Sequence, residues 1–389
     1  MNILKEQFLL NPNVHYLNFG FAGSCPKPVF DNYQYWQRLL EFESYQFLNV
    51  NSASFLAHAR NELANYIGVV DKDDLVFITN PTLGTNIVAK NLILQEGDEI
   101  LATDIEYGAC DRTWDLYCTK SKAIYKRQKI SLPILSKEAF INNFFAGVTN
   151  KTKAIFISEI TSSTALILPV KEIVAKAKSM GLLTFVDGAH VPGQLPLNIQ
   201  ELDCDFYTGA CHKWMMAPKG CSFLYAHKRV QHLLKEPLIV SWGYKAIKPS
   251  ASLFLDYNQL IGTRDLSAFL ALPACINFMK EHNWPTVSKK CNEMVLLNAE
   301  RFYTLLDTKP ICPLTSEFIG QMLSIPIHTT QPEKLQRTLF TQFNIEIPIF
   351  KQGEATYIRY SINGFNIQED LDELYNALLD IKINSGLID

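Results

Sequence analysis

Two charged residues stand where other charges are scarce. Lys213 sits in Cys211-His212-Lys213-Trp214, just past an apolar stretch, and Asp187 closes the run Leu183-Thr184-Phe185-Val186. A lysine amine attacks a carbonyl only after losing its proton, which requires a depressed pKa or a neighbouring base. Most lone lysines are surface decoration. An aspartate at a strand end can cap a turn, ligate a metal or bind a cation. A third candidate is Asn80-Pro81-Thr82-Leu83-Gly84-Thr85-Asn86, between an apolar run and a helical period. Backbone N–H groups at a helix N-terminus are donors for an anion, and threonine hydroxyls can add to them. The same loop also reads as an ordinary turn with a helix cap. A fourth is Glu106-Tyr107-Gly108-Ala109. No GKS, GKT or GxGxxG occurs, which argues against a P-loop and against a nicotinamide dehydrogenase.

Composition narrows the class. The chain has 389 residues, 48% hydrophobic, 19% charged, with net charge −3. That length suits two domains around a large core. The charge balance excludes the basic face of a nucleic-acid binder, and no 18-residue apolar window suggests a membrane span. The first 18 residues lack the basic start, long apolar run and small-residue site of a signal peptide, so ordinary protein is expected there. Nine cysteines are scattered without a CxxC, so neither a disulfide scaffold nor a metal site is expected. A reduced, cytoplasmic enzyme is the plain reading.

The elements that must position these residues alternate. Apolar runs at 75–79, 99–103, 123–128, 154–158, 182–186, 206–207 and 222–225 predict strands. Helical periods at 83–94, 108–119, 137–145 and 169–180 lie between them, the last opening at Pro169 and stopping at Gly181. Continuous apolar strands separated by helices imply an α/β fold with a mostly parallel sheet covered on both faces. Ligands in such sheets sit beyond the C-terminal strand ends, where all four candidates fall. From about 259 onward the pattern becomes α+β. Helices are expected at 266–281, 287–306 and 367–383, and strands at 321–326 and 357–361. The expected division is a large domain of 16–258, with 1–15 and 259–389 forming a smaller α+β domain.

In this order the segments resemble the class V aminotransferase family, most closely its isopenicillin-N-epimerase-like branch. The resemblance spans nearly the whole chain. It rests on Tyr16-Leu17-Asn18-Phe19-Gly20, the 80–86 loop, Glu106 to Ala109, VDGAHVPGQ, HKWMMAPKG, SWGY at 241–244, GTRDLSAF at 262–269 and IRYSINGFN at 358–366. It implies pyridoxal-phosphate (PLP) fold type I, with a seven-stranded sheet, and a homodimer with shared sites. It implies that Lys213 carries the cofactor as a Schiff base and that Asp187 pairs with the pyridine nitrogen. Tyr107 would stack on the ring, and His190, with Ser162 or Thr161, would approach the phenolic oxygen. Thr82, the Leu83 N–H and His212 would hold the phosphate. Relatives have a serine where Ala210 stands, and Thr208 is the expected substitute. Thr263 resembles the threonine donated to the partner's phosphate, and Arg359 the arginine that grips an amino acid's α-carboxylate. Phe19, Phe21 and Trp214 are open to pocket-lining or core packing, and Arg60 and Arg264 stay unassigned.

The resemblance leaves the reaction open between epimerisation, transamination and β-elimination from a cysteine-derived amino acid. A noncatalytic relative that keeps the fold is a further alternative. No cysteine lies between Pro313 and Arg359, where cysteine desulfurases carry their nucleophilic thiol, so persulfide chemistry on the protein is not expected.

Overall fold

The computed structural model describes residues 4–247, 249–250, 252–259 and 261–389. Residues 1–3 of the N-terminal stretch, and 248, 251 and 260 within the expected domain ranges, lie outside the described residues. Strand β1 (His15–Tyr16) precedes the main sheet, which is built from β2 (Leu75–Ile78), β3 (Glu99–Thr103), β4 (Ile124–Gln128), β5 (Thr152–Ser158), β6 (Leu183–Asp187), β7 (Phe206–Ala210) and β8 (Ser222–Ala226). Their spatial order is β2-β8-β7-β6-β5-β3-β4. All neighbours pair in parallel except β8, which is antiparallel to both β2 and β7. The expected seven-stranded, mostly parallel sheet is therefore present.

The apolar runs become strands because both faces are buried. Along β5 and β6, Phe156 and Phe185 enter one core while Ile155, Ile157 and Val186 enter the other. A strand clad on both sides shows no polar alternation. Edge strand β4 does alternate, with Ile124 exposed and Tyr125 buried. β7 runs three residues beyond the apolar pair expected from sequence, through Thr208, Gly209 and Ala210. Gly209 is there because a Cβ would come within 2.6 Å of the Phe223 ring.

The smaller C-terminal α+β domain contains an antiparallel sheet of β9 (Met322–Pro326), β11 (Ile349–Gln352) and β12 (Ala355–Ser361), in the order β11-β12-β9. β10 (Ile345–Glu346) pairs in parallel with β1 as a separate two-stranded sheet, and the Ser361 N–H donates to the Leu17 carbonyl at 2.8 Å, tying the chain's beginning to β12 of the antiparallel sheet. Helices Trp284–Leu305 and Gln368–Asn384 flank it. The single helix expected at 266–281 is two, Ser267–Leu270 and Leu272–Glu281. Pro273 lies in the first turn of the second and has no N–H for the Phe269 carbonyl. Both pieces pack against helices Lys27–Phe42 and Ser52–Ile67, and the Phe269 ring stacks on Phe77 of β2. These packings bring the N-terminal and C-terminal segments to the ends of the main sheet, where the candidate residues lie. Among the described residues no helix is long and apolar enough to cross a membrane.

Candidate active site

Lys213 follows the end of β7 in a tight loop. The N–H of Met216 donates to the Lys213 carbonyl at 3.0 Å and that of Ala217 to the Cys211 carbonyl at 3.0 Å. The N-terminal segment is pressed against this loop. Gly23 has φ +65°, and a Cβ there would lie 2.5 Å from the Lys213 carbonyl oxygen. Only glycine meets both demands without strain. Phe19, fully buried, packs its ring 5.5 Å from that of Trp214. The neighbouring Lys219 is held apart, its amine donating to the Gly23 carbonyl at 3.0 Å.

Lys213 is half-buried as a residue, yet burial of its amine draws the pKa down to about 8. Asp187 opposes that shift and Arg359 assists it. A lysine in water ionises two units higher, so far more free amine is present here at neutral pH. Asp187 closes β6 and is 4% exposed. Its Oδ1 accepts the Ala189 N–H at 2.9 Å, and Cys110 Sγ lies 3.7 Å from Oδ2 as a thiol donor. Burial pushes the carboxyl up, while the Ala189 N–H and Lys213 pull it back. A carboxylate has about four acceptor sites, so these two donors leave room for a protonated ring nitrogen. His190 Nε2 is 3.2 Å from Lys213 Nζ, and burial holds the imidazole well below its ordinary pKa.

Arg359, on β12, is 1% exposed and has no carboxylate partner among the described residues. Its Nη1 donates to the Ser162 carbonyl at 2.5 Å, its Cζ lies 4.7 Å over the Phe350 ring, and its Nε has no partner. Burial lowers its pKa to about 9, leaving it a cation at pH 7. A buried guanidinium with spare donors is built to receive an anion.

The candidate anion end lies at helix Pro81–Asn91. Asn80 caps it, its Oδ1 accepting the Leu83 N–H at 2.9 Å, so that donor is engaged within the chain. Thr82 is half-buried in the first turn. Thr208 is fully buried, donates to the Phe223 carbonyl at 3.0 Å and packs beneath Gly84, whose Cβ would come within 2.9 Å of its hydroxyl. His212 Nδ1 faces the Cys221 carbonyl at 3.0 Å and so carries the proton, leaving Nε2 as the free nitrogen. Burial lowers its pKa to about 4. Ser162 offers its carbonyl to Arg359, while Thr161 Oγ1 pairs with Thr164 Oγ1 at 2.7 Å.

Among the described residues no side-chain bond joins Thr82, Thr208, His212, Tyr107 or Thr263 to Lys213, Asp187, His190 or Arg359. Tyr107 is 48% exposed at the start of helix Gly108–Ser121, with its ring open to solvent. Thr263 is exposed beside Gly262. Arg60 is occupied by Asp73 at 2.9 Å and Gln259 at 2.7 Å, a structural role. Arg264 lies over the Phe269 ring. Sequence reading missed Cys110 and Phe350, which touch Asp187 and Arg359. Cys110 directly follows the Glu106–Ala109 segment, and that proximity was the available signal. Among the described residues no cluster of three or more His, Cys, Asp or Glu side chains could hold a metal.

A buried amine with a lowered pKa, a carboxylate at the next strand end and a capped helix N-terminus fit an aldehyde-bearing, phosphorylated pyridine. With this α/β sheet they define a PLP-dependent enzyme of fold type I. The aminotransferase class-V profile matches residues 35–374, and the chain belongs to that family. It is 30% identical to an isopenicillin N epimerase of Amycolatopsis lactamdurans, over 97% of this chain and 98% of that protein. It is 27% identical to a putative L-cysteine desulfhydrase 1 of Oryza sativa subsp. japonica, over 93% of this chain and 82% of that one. The solved complex between the cystine C–S lyase C-DES and its product cysteine persulfide superposes with TM-score 0.80, at 22% identity, covering 95% and 98% of the two chains.

Two outcomes follow from this geometry. The rate at which cofactor-free protein takes up PLP, followed by absorbance, should rise with pH through about 8 and level off above it. A rise continuing to the ordinary lysine range would contradict the burial of the amine. Arg359→Ala should weaken amino-acid binding by roughly 100-fold, the scale of a lost buried charge-assisted pair. Cofactor affinity, measured by equilibrium titration, should hardly change. Equal loss of both would remove Arg359 from substrate binding.

Proposed function

We propose that the protein is a β-eliminating lyase that cleaves the Cβ–S bond of a cysteine-derived amino acid. Lys213 is the cofactor's covalent anchor in this reading, Asp187 the partner of its ring nitrogen and Tyr107 the stacking platform. His190 and Ser162 flank the phenolic oxygen. Thr82, Leu83 and His212 surround the phosphate, Thr208 supports this turn from beneath Gly84, and Thr263 is supplied by the partner subunit of a homodimer. The exposed apolar side chains Val240, Trp242 and Ile247, in the loop before Thr263, support a dimer, since such patches mark contact surfaces. A large unit of 16–258, with 1–15 and 259–389 as the smaller one, remains the proposed division.

The bound cofactor supplies an electron sink for the pair left at Cα. The chain's residues do the rest. Arg359 holds the α-carboxylate and fixes which Cα bond faces the sink, and Lys213 Nζ takes the Cα proton. The sulfur leaves with the electrons of the Cβ–S bond, and water completes release of a 2-oxo acid and ammonia.

The observation that carries this reading is that Asp187, Cys110 and Arg359, whose charges act on the Lys213 amine, are engaged elsewhere, and that His190 lies between Lys213 Nζ and Trp214 Nε1. Asp187 is bonded to Ala189 and Cys110, Cys110 to Asp187, and Arg359 is a cation that cannot serve as a base. An epimerase needs a second acid–base group. All nine cysteines are buried, which also disfavours handing sulfur to an exposed protein thiol. Epimerisation is the second reading, favoured by the 30% identical epimerase relative. The test is to give the holoenzyme L-cysteine, L-cystine and S-substituted cysteines. Sulfide or thiol should appear with equimolar 2-oxo acid and ammonia. Appearance of the D-enantiomer with no 2-oxo acid would sink the lyase reading.

A further inference from the structure

Three side chains form a hydrogen-bonded line ending at the reactive lysine. Trp214 is fully buried, and its Nε1 points at His190 Nδ1 at 3.4 Å. His190 Nε2 in turn lies 3.2 Å from Lys213 Nζ. An indole N–H can only donate, so Nδ1 must accept and carry no proton. The neutral imidazole then bears its proton on Nε2, the nitrogen facing Lys213. An Nε2–H bond needs a lone pair opposite it. An amine has one and an ammonium has none.

We infer that Trp214 is a positioning residue: by fixing the tautomer of His190, it favours the unprotonated, nucleophilic amine of Lys213. An ammonium at Lys213 would have to donate to Nε2 and push the imidazole proton onto Nδ1. It would then oppose the indole N–H, leaving two donors face to face in a buried site. Such a clash costs about as much as an unmade buried hydrogen bond.

His190 and Trp214 are tied down through their backbones. The His190 carbonyl accepts Gln194 Nε2 at 2.7 Å, and Gln194 Oε1 accepts the Gln321 N–H at 2.7 Å. A Cβ on Gly193 would lie 2.4 Å from the Trp214 carbonyl, so the two loops are in direct backbone contact. Other groups also face the amine. Asp187 on β6 and Cys110 on helix Gly108–Ser121 favour its charged form, while Arg359 on β12 disfavours it. The Trp214–His190 pair therefore acts against the carboxylate that would otherwise keep the lysine charged. It does so without adding a charge of its own.

This inference rests on Lys213 being the cofactor's anchor, but its test does not. The full-length chain, freed of cofactor with hydroxylamine, should show His190 as the neutral Nε2–H tautomer in long-range ¹H–¹⁵N spectra. A His190→Gln variant assigns the signals. In Trp214→Phe, which keeps an aromatic ring and removes the donor, the Nδ1–H form should grow. The pH midpoint for trapping Lys213 with formaldehyde and cyanoborohydride, read by peptide mass spectrometry, should rise by about one unit, a tenfold loss of free amine. A wild-type His190 protonated on Nδ1 overturns the inference without any variant. So does a raised midpoint with an unchanged tautomer, because that would be mere loosening of the pocket. Failure of Lys213 as anchor would show separately, as cofactor colour retained by Lys213→Ala.

Discussion

The site depends on taking a lysine ammonium out of water. An exposed lysine at pH 7 is almost wholly charged and inert towards an aldehyde. The chain solves this by ending β7 inside the protein and closing the N-terminal segment over the loop that follows. Gly23 allows that closure, because any side chain would strike the Lys213 carbonyl. The burial that frees the amine also raises the carboxyl pKa of Asp187 and lowers that of the Arg359 guanidinium. One desolvated pocket thus sets three ionisations at once. Opposite charges around Lys213 then trim the result, and backbone donors such as the Ala189 N–H keep Asp187 from being left unpaired.

The sheet explains why these residues can meet. Asp187 and Lys213 lie at the ends of the parallel neighbours β6 and β7, and the helix opened by Pro81 packs against β7 through Gly84 and Thr208. Arg359 arrives from the C-terminal sheet, which is joined to the chain's beginning by the Ser361 N–H bond to the Leu17 carbonyl. In the proposed reading, binding an amino acid would involve both domains. The lysine and aspartate belong to the large sheet, and the buried arginine to the small one.

Much of this was legible in the sequence, for physical reasons. Strands clad on both faces leave unbroken apolar runs, so β2, β5 and β6 could be read directly. Polar residues just beyond such runs marked Asp187 and Lys213. Helices Lys27–Phe42 and Ser52–Ile67 were not read, although Pro28 opens the first and Gly68, left-handed at φ +67°, closes the second. Strand β12 was read at 357–361, but its partner β11 escaped because Phe350, Lys351 and Gln352 are mixed in polarity and not buried. The pairings of Cys110 with Asp187 and of Trp214 with His190 were not legible, even though Cys110 lies beside a segment that was singled out. They depend on side-chain directions across 77 and 24 residues of chain, which no local pattern encodes. Family resemblance names residues by position, whereas tautomers and donor commitments are set by packing.

The central claim is that Lys213 alone carries the cofactor. Borohydride reduction of the PLP-loaded protein, followed by proteolysis and peptide mass spectrometry, tests it most directly. The account predicts a single modified residue, Lys213, on the peptide that spans Trp214. A label on Lys219, whose amine is bonded to the Gly23 carbonyl, or no label on a coloured protein, would contradict it.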